Sequence, residues 1–227
     1  MGYLVIESEP VVGQTTCGNC PDPIPPTPPS GLLFDSNYLI GQVGDSTLTI
    51  SGGGTTVTAE PTTASQQVAL INNPATHGTL ALDFSPTGNG AVIVASPNSE
   101  ATALQDITNI IRQTGDRTGV HTLAALAQQL TTNPDSGFVF VAYTVEDAAS
   151  PTILGQAAIT NFGDTELSMT VNADGSLTVS QDGTEIISLA AGTVARGGSD
   201  VWYPGAFLAS PNQTAMIDST NSTWPGA

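Results

Sequence analysis

The sequence predicts a mainly β chain: an antiparallel β-sandwich with two short helices, preceded by an extended N-terminal arm. Three observations predict it. Short β-rich runs recur between turn formers from Gly31 onward, two Asp-Gly turns join consecutive strands in the second half, and a proline run separates all of this from the first residues. With 227 residues and 39% hydrophobic content, the chain can bury one sizeable core.

The arm comes first. Tyr3, Leu4, Val5 and Ile6 are aromatic or aliphatic enough for a short strand, and Val11 and Val12 can continue it beyond Pro10. So short a strand must pair with something, either an edge of the chain's own sheet or a sheet edge or groove on another subunit. Residues 1–16 are therefore read as an anchoring strand. Residues 17–30 are read as a spacer, because six prolines fall among the nine residues Pro21–Pro29. In polyproline geometry such a run reaches roughly 28 Å and resists collapse.

Residues 31–227 form the predicted head. "LFDSNYLIG", "STLTI", "TTVTA", "QQVALI", "TLALDF" and "AVIVA" read as strands, each followed by a turn signal; in "TLALDF" the alternation of Leu80, Leu82 and Phe84 gives one buried face. Residues 99–113 place Leu104, Ile107, Ile110 and Ile111 at helical spacing, and Leu123, Leu126 and Leu130 form a second stripe over 120–130. Both helices are expected to pack on the sheet. "GFVFVAYTV", "TILGQAAIT", "TELSMTV", "SLTVS" and "TEIISL" follow as strands, the last three joined in a meander by "NADG" and "QDG". "DVWYPGAF" and a polar tail carrying Trp224 close the chain.

Charge narrows the function classes. Twenty acidic residues face three arginines and no lysine, a formal net charge of −17. Nucleic-acid binding requires basic side chains that displace counterions, so no nucleic-acid partner is expected. No stretch approaches a membrane span, and no membrane insertion is expected. "MGYLVIESEP" lacks the basic segment and long apolar run of a secretory signal, although the Thr-, Ser-, Asn- and Gly-rich composition suits an exterior protein. Either a signal has been removed or the chain reaches the outside by another route.

Candidate chemistry is sparse. Cys17 and Cys20 have half the spacing of a zinc knuckle, but no second pair completes four ligands; the readings are two ordinary thiols, a local or intersubunit disulfide, or redox work. No cofactor and no metal site is expected. His77 sits in a turn-like "NPATHGT" and His121 at a helix-like start, with no nucleophile elbow, so no catalytic residue is assigned. Asp164 and Glu166 could share one face of a strand, while Asp174, Asp182 and Glu185 fit hairpin turns better than a calcium loop. Trp202 and Tyr203 are the candidate glycan contact, since flat aromatic faces suit the apolar side of a sugar; the competing reading makes them plugs of the sandwich. Asn212 and Asn221 each open an N-x-Thr glycosylation pattern.

The run "FVFVAYTV…ILGQ…ELSMTVNADGSLTV" from Phe138 to Val179 resembles the central strands of concanavalin-like or laminin-G-like β-sandwiches, a jelly-roll architecture. The glucanase members' catalytic E-x-D-x-x-E is absent, which speaks against hydrolysis. The larger plan of arm, proline spacer and β-rich head is similar to tailed-bacteriophage virion proteins: head decoration proteins, head fibres and tail fibres. That resemblance implies a non-enzymatic structural protein on the virion exterior, attached through residues 1–16 to other capsid or tail proteins. It also implies a homo-oligomer, often a trimer, whose head contacts a host surface or its glycans. The alternative is an extracellular carbohydrate-binding module.

Overall fold

A computed structural model of the chain describes residues 31–41, 48–59, 67–85, 91–96, 123–130, 133–143, 152–160, 164–194, 201–208 and 212–224. The chain divides into two units, Met1–Ser30 and Gly31–Ala227. The anchoring residues Tyr3, Leu4, Val5, Ile6, Val11 and Val12, the pair Cys17 and Cys20, the helix expected over 99–113, and His121 all lie outside the described residues.

The strands run in chain order as β1 (Phe34–Gly41), β2 (Leu48–Ser51), β3 (Thr56–Ala59), β4 (Gln67–Ile71), β5 (Gly78–Ser85), β6 (Ala91–Ser96) and β7 (Leu123–Leu130). They continue as β8 (Asn133–Tyr143), β9 (Thr152–Thr160), β10 (Thr165–Val171), β11 (Leu177–Gln181), β12 (Thr184–Leu189), β13 (Tyr203–Leu208) and β14 (Thr214–Ile217). They build two seven-stranded sheets, ordered β1-β4-β13-β6-β7-β8-β9 and β12-β11-β10-β5-β14-β3-β2, with every described pairing antiparallel. The expected β-sandwich is the observed architecture.

Alternation writes the second sheet. On β10 the buried Thr165, Leu167, Met169 and Val171 alternate with half-buried Glu166, Ser168 and Thr170. β11 repeats the pattern, and Leu80, Leu82 and Phe84 of β5 join the same core. The "QDG" turn is a tight hairpin with Asp182 at φ +48° and Gly183 at φ +73°. In the "NADG" connection only Gly175 takes a positive φ, of +78°, and Asp174 acts differently: its carboxylate accepts from the Ser176 N–H and hydroxyl at 2.9 and 2.7 Å. Asp182 instead accepts across the sheet, from Thr165 Oγ1 and the Glu166 N–H of β10.

The first sheet is written otherwise. Ala69, Ile71, Ile93, Ala95, Ala206 and Leu208 face the core, yet Val68, Leu70, Val94 and Phe207 between them are also fully buried. Central strands covered on both faces read as continuous apolar runs, which is why "VALI" and "VIVA" lack alternation.

Two expectations need correction. The stripe Leu123, Leu126 and Leu130 is a strand, β7, paired with β6 and β8. Ala, Leu and Gln are good helix formers, but a slot between two strands supplies backbone hydrogen bonds along both edges, and tertiary pairing outweighs the propensity of eight residues. β8 begins just after β7, with "NPDSG". The tail is also more than a polar extension: "TAMI" is the inner strand β14 between β3 and β5. Four residues are too few to show a period. Among the described residues the one helical element is a 3-10 turn at Gly52–Gly54.

Candidate functional site

A cleft of about 610 Å³ opens at one side of the sandwich. It is lined by Gly31, Leu33, Phe34, Asp35 and Ser36 at the start of β1, by Ile50 of β2, and by Ile71, Asn72 and Asn73 at the end of β4. The topology makes it. β1 and β2 are the outer strands of their respective sheets on the same side, and Phe34 pairs with Ile71, so the start of β1 runs against the end of β4.

The floor is apolar and its borders are polar. Phe34 and Ile71 are buried, Leu33 and Ile50 are half-buried, Asp35 and Asn73 are half-exposed, and Ser36 and Asn72 are exposed. The glycine turn after β2 is part of the construction. Gly54 has φ +104°, and a Cβ there would stand 3.1 Å from Leu33 Cβ, so glycine lets the turn close against the cleft wall.

Both tryptophans support this wall from inside. Trp202 exchanges backbone hydrogen bonds with Ala75, Ala75 N to Trp202 O at 3.0 Å and Trp202 N to Ala75 O at 2.8 Å. Trp224 donates from Nε1 to Asn73 O at 3.0 Å. Trp202 is completely buried and Trp224 is 1% exposed. The expected glycan platform is therefore corrected at Trp202, whose ring lies in the core where no sugar reaches it. Tyr203 is half-buried at the head of β13, opposite Ser96.

A second polar constellation lies elsewhere. Asp83 of β5 and Glu166 of β10 are directly opposed, and Asp182 and Asp218 stand near them. Asn221 Nδ2 donates to Glu166 Oε2 at 3.0 Å and to Asp218 Oδ2 at 2.7 Å, while the Glu166 N–H donates to Asp182 Oδ1 at 3.0 Å. Asn221 is thus committed to this network, and Asn212 caps a turn at φ +60°. Asp164 accepts from Ser85 Oγ at 2.5 Å rather than meeting Glu166. His77 Nδ1 is 2.9 Å from Thr76 Oγ1 in an exposed turn. Asp83 stands five residues along β5 from the Gly78 end, roughly 16 Å at strand rise, so the acids are remote from the cleft side of that strand.

Burial, then repulsion from Asp218 and Asp182, pushes Asp83 above the usual carboxylate range. Burial also pushes Glu166 up, and the hydrogen bond with Glu166 holds Asp218 down. A carboxyl raised in the folded state binds more protons folded than unfolded, so it lowers stability as pH rises through its folded pKa. Glu166→Gln keeps both hydrogen bonds, accepting from Asn221 and donating to Asp218. We expect it to stabilise the fold at pH 7 by a few tenths to about 1 kcal/mol, a value limited by solvent screening. The gain should fade as pH falls through the raised Glu166 pKa and be gone below 4.5, the ordinary glutamate value. Urea midpoints at neutral and acid pH check this; a variant less stable at pH 7 would contradict the raised pKa.

No protein-family model matches the chain, and no curated protein matches it. Among solved structures it is similar to a protein of unknown function with a galectin-like fold from Bacillus subtilis, at TM-score 0.50 and 10% identity over 79% of this chain and 86% of that one. It is also similar to the carbohydrate-binding module CBM66 from Bacillus subtilis, at TM-score 0.48 and 12% identity over 82% and 94% of the two chains. A third is LamAcat from Zobellia galactanivorans, at TM-score 0.47 and 13% identity over 82% and 90%. The fold is a galectin-like β-sandwich. At these identities the likeness carries the fold alone. Within this galectin-like sandwich the cleft residues Asp35, Ser36, Asn72 and Asn73 are ones that sequence reasoning missed. Each looks like ordinary turn or edge chemistry in its own segment, and "NNP" reads simply as a turn.

Proposed function

We propose that the chain is a non-catalytic glycan-recognition module whose ligand seats in the cleft between β1, β2 and the end of β4. One observation carries the reading: an open cleft of about 610 Å³ with an apolar floor of Leu33, Ile50 and Ile71, bordered by a carboxylate, a hydroxyl and two amides. A sugar presents C–H faces and vicinal hydroxyls. The floor suits the former, Asp35 accepts from the latter, and Asn72 and Asn73 both donate and accept. The separate acid cluster supports a non-catalytic role, because its carboxylates are engaged with Asn221 and neighbouring backbone rather than directed at the cleft.

A glycan array with the full chain, followed by calorimetry on the best ligand, tests this. Asp35→Ala is expected to weaken binding roughly tenfold, the size of a charge-assisted hydrogen bond. Absence of binding to any array glycan, or binding indifferent to Asp35→Ala and Asn72→Ala together, overturns the reading.

A second proposal is that this module is displayed on the exterior of a virus particle, anchored to capsid or tail proteins by residues 1–16. The run of six prolines at Pro21–Pro29 supports a stiff arm ahead of the head. Deleting residues 1–16 should then leave a folded head that no longer co-sediments with particles; unchanged co-sedimentation overturns it. Among the described residues no helix is long and apolar enough to cross a membrane.

A further inference from the structure

The border of the cleft carries charge of one sign only. Of the nine lining residues Asp35 alone is charged, and it stands half-exposed beside the apolar floor of Leu33, Ile50 and Ile71. The other polar side chains there, Ser36, Asn72 and Asn73, are neutral. Each of the four carries an oxygen that accepts hydrogen bonds, so the border offers several acceptors, one of them ionic, and no cationic donor.

The whole chain has the same sign. Twenty acidic residues face three arginines, and Arg112, Arg117 and Arg196 all lie outside the described residues. Such a field concentrates cations near the surface and depletes anions, acting within roughly 8 Å at physiological salt. Asp35 adds a contact charge inside the site itself. Sugars divide on both properties. A uronic, sialic or sulfated sugar brings an anion that only accepts, so its acidic group meets Asp35 with like charge and finds only neutral donors along the border. A neutral hexose donates from its hydroxyls to the four side-chain oxygens without gain or loss from charge. An amino sugar with a free amine brings three donors and a positive charge, compact enough to sit at Asp35 while the C–H face of its ring lies on the floor.

Resting on the glycan reading above, we propose that the cleft selects its sugar by charge: it takes amino sugars with a free amine in preference to neutral hexoses, and it rejects acidic sugars. Asp35 is the residue that determines this specificity. The apolar floor and the neutral border groups hold any of the three sugar classes by shape and hydrogen bonding, so discrimination among them falls to the one charge that lines the site.

Amide-resolved NMR titration of the full chain tests this with glucosamine and galactosamine, their parent hexoses, and the corresponding uronic acids. The pH is held at about 6, where a sugar amine is protonated and a uronic acid ionised. The amino sugars should shift the signals of Asp35, Asn72 and Asn73 at about one-fifth of the concentration that the hexoses need, the upper end for an exposed ion pair, and the uronic acids should leave them in place. Added salt should narrow that gap. Asp35→Asn should bring amino sugar and hexose to one affinity. It changes the net charge by a single unit, so a general attraction of cations to an acidic surface would survive it. Equal binding of amino sugar and hexose, tighter binding of a uronic acid, or an amine preference that persists in Asp35→Asn overturns the charge selection and leaves the glycan reading in place. Cleft signals that none of these sugars shifts would overturn both.

Discussion

Trp202→Ala is expected to destabilise the protein by about 3–5 kcal/mol, the range for deleting a large buried aromatic. Trp202 is fully buried, and its backbone holds Ala75, two residues beyond the cleft residue Asn73. Alanine leaves a cavity the size of an indole between two sheets whose backbones cannot collapse far. The loss is a large share of the 5–15 kcal/mol that typically separates folded from unfolded domains. Chemical denaturation measures it. Trp202→Phe, which keeps most of the volume, should retain the fold and the ligand affinity. If Trp202→Ala instead cost less than about 1 kcal/mol while abolishing glycan binding, the ring would belong to a ligand platform, and the core placement would be wrong.

Gly205→Ala is the second large effect, and its cause is space rather than backbone conformation. Gly205 lies mid-strand in β13, paired with Leu70 on one side and Val94 on the other. A Cβ there would stand 2.9 Å from Leu70 Cα and still closer to Ala69 O, so the obstacle is backbone rather than the end of a flexible side chain. The strands β4 and β13 would have to part at the centre of the first sheet. We expect a loss of about 3 kcal/mol, at the upper end for overpacking. Hydrogen exchange should localise it, with protection falling on β4 and β13 before the second sheet. A thermal midpoint within a degree of the parent would mean that the sheet accommodates the methyl, against the geometry.

Legibility followed the strength of local signals. "TILGQAAIT", "TELSMTV" and "TEIISL" match β9, β10 and β12 residue for residue, because alternation and Asp-Gly turns are local features that the chain displays wherever it goes. The segment from Leu123 to Leu130 misled for the same reason, since its local signal is helical and only its neighbours make it a strand. β14 was missed because four residues carry no period, and its place between β3 and β5 is a matter of sheet order.

The candidate site shows the division more sharply. For Trp202 the sequence offered both a glycan contact and a plug of the sandwich, since an isolated tryptophan does not reveal whether its ring points to solvent or to a core. The cleft residues passed unnoticed because Asp35 and Asn72 come from segments more than thirty residues apart, joined only when Phe34 pairs with Ile71.

By itself, then, the sequence determined the sandwich, its meander and its acidic surface. These depend on side-chain alternation, turn conformation and charge, which act over a few residues or need no geometry at all. Tertiary structure alone decided which helix-like segment became a strand, which aromatic was buried, and which polar groups converged on a cleft. Those depend on strand order and register, where the deciding free energy comes from partners distant in the chain.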